Sequence, residues 1–350
     1  MRGEDVEPRQ RVTLDDVAAA AGVSKSAASK ALNNRADVSA ATRERVLAAS
    51  EDLGYVRPET TPARTYPPIA IVSDDLATAY TIEVLKGAAT AALDAGVALH
   101  TTYTPTPAER AHPVPFEPEW FTLLKATDYL GLIVLTSPLT REQHASARRI
   151  GLPLVMIDPS GEQERGIASI GATNWNGGVD ATEYLIGLGH ERIALVGGPE
   201  DSVPARERHQ GYLSALQMHS LPVHANLISS GPFTYETGLQ QGRRLLRLPE
   251  GERPTAVFAA SDTTALGIYE AVREAGLRIP EDFSVVGFDD TEMAGWAAPR
   301  LTTVRQPLFR MGQEAVRMIV DNHHGRPMLT TTPLRLSTRL VIRDSATPPR

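Results

Sequence analysis

Residues 12–33, VTLDDVAAAAGVSKSAASKALN, read as two short helices joined by a tight turn. Thr13 precedes an apolar periodic run at Leu14, Val17, Ala18 and Ala21. Asp16, three residues on, completes a variant of the capping box, and Asp15 adds negative charge to the same turn. Gly22 supplies the turn, because a side chain resists positive φ. Ser24 caps a second helix over about residues 25–33. On that helix Ala27, Ala28, Ala31 and Leu32, with Val23 before it, face inward, while Lys25, Ser26, Ser29 and Lys30 face outward. Ser39 caps a third helix, which runs through Val46, Leu47 and Leu53 and stops at Gly54. Three short helices with a tight turn between the first two make a helix-turn-helix. A plain three-helix bundle with an alanine-rich core is the other reading of this pattern.

A helix with a small, polar, basic face suits the DNA major groove. The 350-residue chain carries a net charge of −7, so DNA contact must come from a local patch. The local charge is nearly balanced: Arg9, Arg11, Lys25, Lys30, Arg35, Arg43 and Arg45 stand against Asp15, Asp16, Asp37, Glu44, Glu51 and Asp52. With no cysteine, disulfides, thiolate metal sites and a thiol nucleophile are excluded. MRGEDVEPRQR has no apolar run, so no secretory signal is expected, and no stretch reaches the ~18 apolar residues that span a bilayer. The expected location is the cytoplasm, with the nucleoid.

Residues 56–68, VRPETTPARTYPP, mark a boundary. From Ile69 the pattern changes to short apolar runs (IAIVS, VALHTTY, YLGLIVLTS, LPLVMID, RIALVGG, TAVFAAS, FSVVGFD) alternating with helical segments such as 82–95, 177–188, 205–219, 235–247 and 264–275. That alternation predicts parallel sheets with crossover helices, and the strand count calls for two α/β lobes. The segment TPTPAERAHPVPFEPEW (104–120) reads as a surface loop. The tail LVIRDSATPPR has no leucine heptad, so no tetramer through a C-terminal coiled coil is expected. No metal-ligand spacing, GxSxG elbow or GxxxxGK[ST] loop occurs, and no cofactor is expected.

VTLDDVAAAAGVSKSAASKALNN, followed by VSAATRERVLAASEDLGYVRP, resembles the headpiece of the lactose/galactose repressor (LacI–GalR) family. The resemblance implies phosphate contacts from Thr13, Ser24, Ser29, Asn33, Ser39 and Thr42, and base-edge contacts from Lys25, Ser26 and Lys30. Where the family has Thr-Val-Ser-Arg, this chain has Ala27-Ala28-Ser29-Lys30. Lys30 lacks arginine's bidentate fork to guanine, which relaxes base preference. In the linker Ala63 and Arg64 fit the family's minor-groove hinge helix, but its wedge leucine is absent and Tyr66 sits nearest. A stiff tether with no DNA role is the alternative there.

The resemblance continues through GLIVLTS, LGHERIALVGGPEDSVPARERHQGY, PTAVFAASDTTALGIYEAVREAGLRIPEDFSVVGFDD and LTTVRQP. It implies a headpiece at 10–57, a linker at 58–68 and a two-lobed periplasmic-binding-protein-like body at 69–343. The N-lobe is expected at about 66–159 plus 306–327, and the C-lobe at about 160–305 plus 328–343. A cleft ligand sits where strand C-termini converge. Asp289, after FSVVGF, is read as an effector ligand or a helix cap, and Asp290 as a cap. Arg208 matches an effector-binding arginine, with Arg206 the alternative. Phe233 falls at an aromatic stacking position, or is a core plug. Asn174, Ser261 and Asp262 stand at family effector positions, and Asp75 and Tyr80 after the first strand can close the N-lobe side. His190 reads as structural. The implied function is a homodimeric repressor that binds a near-palindromic double-stranded operator and responds to a small-molecule effector, a sugar or related metabolite. A transport-type solute-binding protein and an α/β enzyme are the competing classes.

Overall fold

A computed structural model describes residues 12–33, 35, 37–55, 66–104, 116–161, 166–328 and 332–350. The expected linker through residue 65, with Arg64, and most of the proline-rich loop lie outside them. The chain forms two compact units that divide between residues 65 and 66.

The first unit holds α1 (Leu14–Ala20), α2 (Lys25–Leu32) and α3 (Ala40–Asp52). Each start is locally encoded. Thr13 N–H donates to Asp16 Oδ2 at 2.8 Å while Asp16 N–H donates back to Thr13 Oγ1, and Ser24 and Ser39 accept from Ala27 and Thr42 N–H. Val17, Ala18, Ala21, Ala28, Ala31 and Val46 form its core. Small side chains there let three short helices approach closely.

The second unit is built from two three-layer lobes. The chain runs β1 (Pro68–Ser73), α4 (Ala79–Ala95), β2 (Ala98–Tyr103), α5 (Pro118–Ala126), β3 (Gly131–Leu135), α6 (Arg141–Arg149), β4 (Leu154–Ile157) and β5 (Ala168–Ala172). It then crosses to α7 (Asn174–Gly187), β6 (Ile193–Val196), α8 (Val203–Met218), β7 (Ile228–Ser229), α9 (Tyr235–Leu246), β8 (Ala256–Ala259), α10 (Asp262–Glu274), β9 (Ser284–Asp289), α11 (Glu292–Trp296) and β10 (Thr302–Arg305). It returns for α12 (Leu308–His323) and β11 (Leu334–Leu336), and crosses again to β12 (Arg339–Val341). The sheet orders are β11-β5-β4-β3-β1-β2 and β12-β10-β9-β8-β6-β7, parallel except for β12. Apolar layers lie on both faces of each sheet, which is why the strands read as continuous hydrophobic runs.

Two expectations need correction. Residues 160–172 do not open the second lobe: β5 pairs with β4 in the first sheet, and β11 follows it there. Ala168, Ser169, Gly171 and Ala172 are too small to make a visible apolar run, so the strand hid in what read as a loop. The segment 104–120 is not loop throughout, because Pro118 starts α5 at a position where its missing N–H costs nothing. The tail beyond β12 is not helical, and Ser345 ties it down by donating to Val285 O at 2.6 Å.

Paired glycines let helices cross tightly. A methyl on Gly267 would overlap the Tyr235 carbonyl oxygen, and one on Gly238 the Thr264 carbonyl oxygen, so α9 and α10 pack backbone to backbone.

Candidate functional site

In the first unit α2 buries Ala28 and Ala31, and this turns Lys25, Ser26 and Lys30 to solvent. Ser29 is half-buried, and the adjacent Asn33 amide donates to Ser29 O at 2.8 Å. Thr13, Ser24 and Ser39 are exposed N-caps, and Thr42 is linked to Ser39 by a 2.9 Å hydroxyl bond. The two α2 cations are each paired, Lys25 with Asp15 at 2.7 Å and Lys30 with Asp37 at 2.6 Å.

In the second unit a cleft of about 350 Å³ opens where the strands of both sheets end. Asp289 closes β9 with φ 115°, and Thr136 and Asp158 follow β3 and β4 with φ 60° and 44°. Non-glycine residues in this region are costly, and three of them meet at this cleft, the setting in which backbone strain accompanies a candidate site. Arg208 on α8 is 3% exposed. Its Nε donates to Asn174 Oδ1 at 2.9 Å and its Nη1 to Ala260 O at 2.6 Å, and Nη1 lies 3.7 Å from Asp289 Oδ1. Phe288 lies under the guanidinium, whose carbon is 3.8 Å from the ring centre. Asp289 also accepts from Gln306 Nε2 at 2.7 Å. Burial pushes the Asp289 carboxyl up to about 6, with Arg208 and Gln306 working against the rise. Tyr80 donates to Asp158 at 2.7 Å, and burial raises both groups above their usual ranges.

Asp75, Tyr80, Arg208, Phe233, Ser261 and Asp289 line this cleft. Phe233 is half-buried at its mouth, 5.5 Å from Arg208, and is no core plug. Ser261 lines the wall but is engaged as the α10 N-cap. Two expected ligands lie elsewhere. Asp262 is fully buried and accepts from Thr291 N–H, Thr291 Oγ1 and Thr303 Oγ1, so it staples the head of α10 to the start of α11 and to β10. Burial and the neighbouring Asp289 push its carboxyl up to about 8. Asn174 is fully buried behind Arg208 and orients it. Asp290 does not cap α11: it pairs with Arg305 and with Arg343, the latter at 2.5 Å. Arg206 points away from the cleft and donates to the Glu200 and Asp201 carbonyls. His190 bonds Thr255 and the Thr347 carbonyl, a structural role.

Sequence reasoning missed Asp158 and the rim it stands on. The signal was present, since LVMID ends in an aspartate as FSVVGFD does. Beside Asp158 the lobes touch through backbone: Gly161 N–H donates to Asp201 O at 2.9 Å and Val203 N–H to Pro159 O at 3.3 Å. Ser160 and Ser202 face each other as an isolated antiparallel bridge. Glu207 and Arg335 add a 2.7 Å ion pair across the same divide. Among the described residues no group of three or more His, Asp or Glu side chains could hold a metal, and no helix is long and apolar enough to cross a membrane.

Comparison with known proteins bears on both units. Residues 13–58 match the family described as bacterial regulatory proteins, lacI family, and residues 182–346 match a periplasmic binding protein-like domain. The chain is 35% identical to the HTH-type transcriptional regulator CelR of Thermobifida fusca over 354 residues, covering 97% of this chain and 100% of CelR. It is 32% identical to the HTH-type transcriptional repressor CytR of Escherichia coli (strain K12), covering 95% and 96%. Among solved structures, a CelR–cellobiose complex aligns with TM-score 0.71 at 33% identity, covering 96% of this chain and 100% of that one. A lac repressor dimer bound to operator and the anti-inducer ONPF aligns with TM-score 0.67 at 30% identity, covering 96% and 99%. With an exposed reading helix in one unit and a two-lobed cleft body in the other, the chain belongs to the lacI family of bacterial regulatory proteins and is a helix-turn-helix transcriptional regulator, not an enzyme.

Proposed function

We propose that the protein is a homodimeric repressor whose operator affinity is set by an uncharged, hydroxyl-rich metabolite bound between the lobes. The observation that carries this reading is the cleft lining. Asp74, Asp75, Asp158, Asp201 and Asp289 line it, with Arg208 the one cation among the described residues of that lining, so it offers acceptors for hydroxyls and repels phosphate or carboxylate. Phe233 offers a ring for the apolar face of a sugar or base. The reading is supported by the relative solved with cellobiose and by the lac repressor dimer on its operator. In it Lys25, Ser26 and Lys30 read base edges, and the cap hydroxyls of Thr13, Ser24 and Ser39, with Ser29, Asn33 and Thr42, meet phosphates. A two-fold dimer reads a near-palindrome with half-sites about one helical turn apart. The effector acts only through its different affinity for the two lobe arrangements.

The test is a titration of the protein with its upstream DNA across a salt series, with a carbohydrate and nucleoside panel screened by thermal shift and then added. Binding that weakens with salt and responds to a panel member is expected. Asp289→Asn removes the response and keeps operator affinity. Absence of binding at low salt ends the repressor reading, and a normal response in Asp289→Asn moves the pocket elsewhere.

A further inference from the structure

Helix α2 has two charged residues, Lys25 and Lys30, and both are already claimed by carboxylates outside it. Asp15 comes from α1. Asp37 comes from the turn after α2 and faces Lys30 across a shallow surface hollow shared with Ser29, Asn33 and Arg35. The Lys30–Asp37 pair stands in water, with side-chain exposures of 51% and 57%, so it is not a prop of the fold. A free lysine is a point charge on a flexible stem, and it settles on any phosphate within reach. A lysine with one N–H held by a carboxylate has its nitrogen fixed, and two N–H groups remain for a base edge.

We propose that Asp37 is a positioning residue for DNA discrimination: it fixes the Lys30 ammonium for base-edge contact and withholds it from phosphates met at random. The inference rests on the DNA-reading role of α2. Asp37 is ionised under working conditions, since the hydrogen bond from Lys30 holds its carboxyl below the usual range. It therefore also repels any phosphate that approaches Lys30 without displacing it.

The test uses the full chain and a mixed-sequence duplex of arbitrary sequence, with affinity read by fluorescence anisotropy from low to moderate salt. Wild type, Asp37→Asn, Lys30→Ala and the double variant are compared, with Asp37→Glu as the conservative control. Asp37→Asn should bind the duplex several-fold more tightly. Its plot of log affinity against log salt should steepen by about 0.9 per reading head, the signature of one more neutralised phosphate. Asp37→Glu should behave as wild type, and the double variant should match Lys30→Ala. An unchanged affinity and slope in Asp37→Asn overturns the proposal. So does a double variant that gains over Lys30→Ala by the factor that Asp37→Asn gains over wild type, because Asp37 is then only a background charge. If wild type binds no duplex at any salt, the DNA reading fails first, and this proposal falls with it.

Discussion

Replacing Arg208 by methionine should destabilise the protein by an amount that depends on pH in a calculable way. Methionine fills most of the volume and keeps contact with Phe288, but it carries no charge. Two losses are independent of pH. Asn174 Oδ1 and Ala260 O, both buried, each lose a donor, and at about 1 kcal/mol each, the low end for an acceptor left unpaired, they cost about 2 kcal/mol together. The third loss is electrostatic. Asp289 sits at about 6 in the folded protein against 3.8 unfolded, even with Arg208 beside it. A carboxyl raised on folding disfavours the fold once it ionises, so stability falls as pH rises from 3.8 to about 6, by about 3 kcal/mol in all. Without Arg208 the carboxyl climbs further, and the fall continues above pH 6 at up to about 1.4 kcal/mol per unit. Asp158 loses the same favourable neighbour and moves in the same direction. The expected cost of Arg208→Met is therefore about 2 kcal/mol near pH 5.5 and about 4–5 kcal/mol near pH 8. Urea unfolding of both proteins at several pH values reads this directly. Adding Asp289→Asn to Arg208→Met should flatten most of the pH dependence. A cost that stays constant from acid to alkaline pH, or is larger in acid, would refute the reasoning.

Two further outcomes are expected. Gly267→Ala puts a methyl into the Tyr235 carbonyl with only backbone to move aside, and it should lower the thermal midpoint by the equivalent of about 1–3 kcal/mol; an unchanged midpoint would mean that α9 and α10 are farther apart. In this cysteine-free chain the double change Ser160→Cys/Ser202→Cys should form an intramolecular disulfide under mild oxidation, since facing residues of this non-hydrogen-bonded kind have Cα atoms about 4.5 Å apart. Persistently titratable thiols would show that the two lips do not meet in solution.

What could be read from the sequence follows the range of the interactions. Helix starts at Thr13, Ser24 and Ser39 are decided within three residues, so the headpiece was legible almost to the residue. Strands buried on both faces announce themselves as apolar runs, whereas β5, built mostly of small residues, was silent and moved the lobe boundary with it. Asp289 stands out in the sequence because a carboxylate ends a buried strand at the place where the resembled family has its effector aspartate. Asp158, which ends LVMID in the same way, has the same setting. Ser261 and Asp262 show the limit of sequence adjacency. They are consecutive, yet at the head of a helix consecutive side chains point in different directions, and one meets the cleft while the other is consumed by Thr291 and Thr303. Asn174 reads as a ligand from its position in the sequence, whereas its partner in the fold is Arg208.

The chain crossings between the lobes carry more than continuity. Asn174 begins the first helix after one crossing and grips Arg208, while Gln306 lies in another and grips Asp289 through both its side chain and its backbone N–H. The floor of the cleft is thus bolted to the very strips about which the lobes would rotate under the proposed effector response. A guest that tugs on that guanidinium or that carboxylate applies torque at the pivot itself, so recognition and movement share one set of levers and cannot be tuned separately by substitution there.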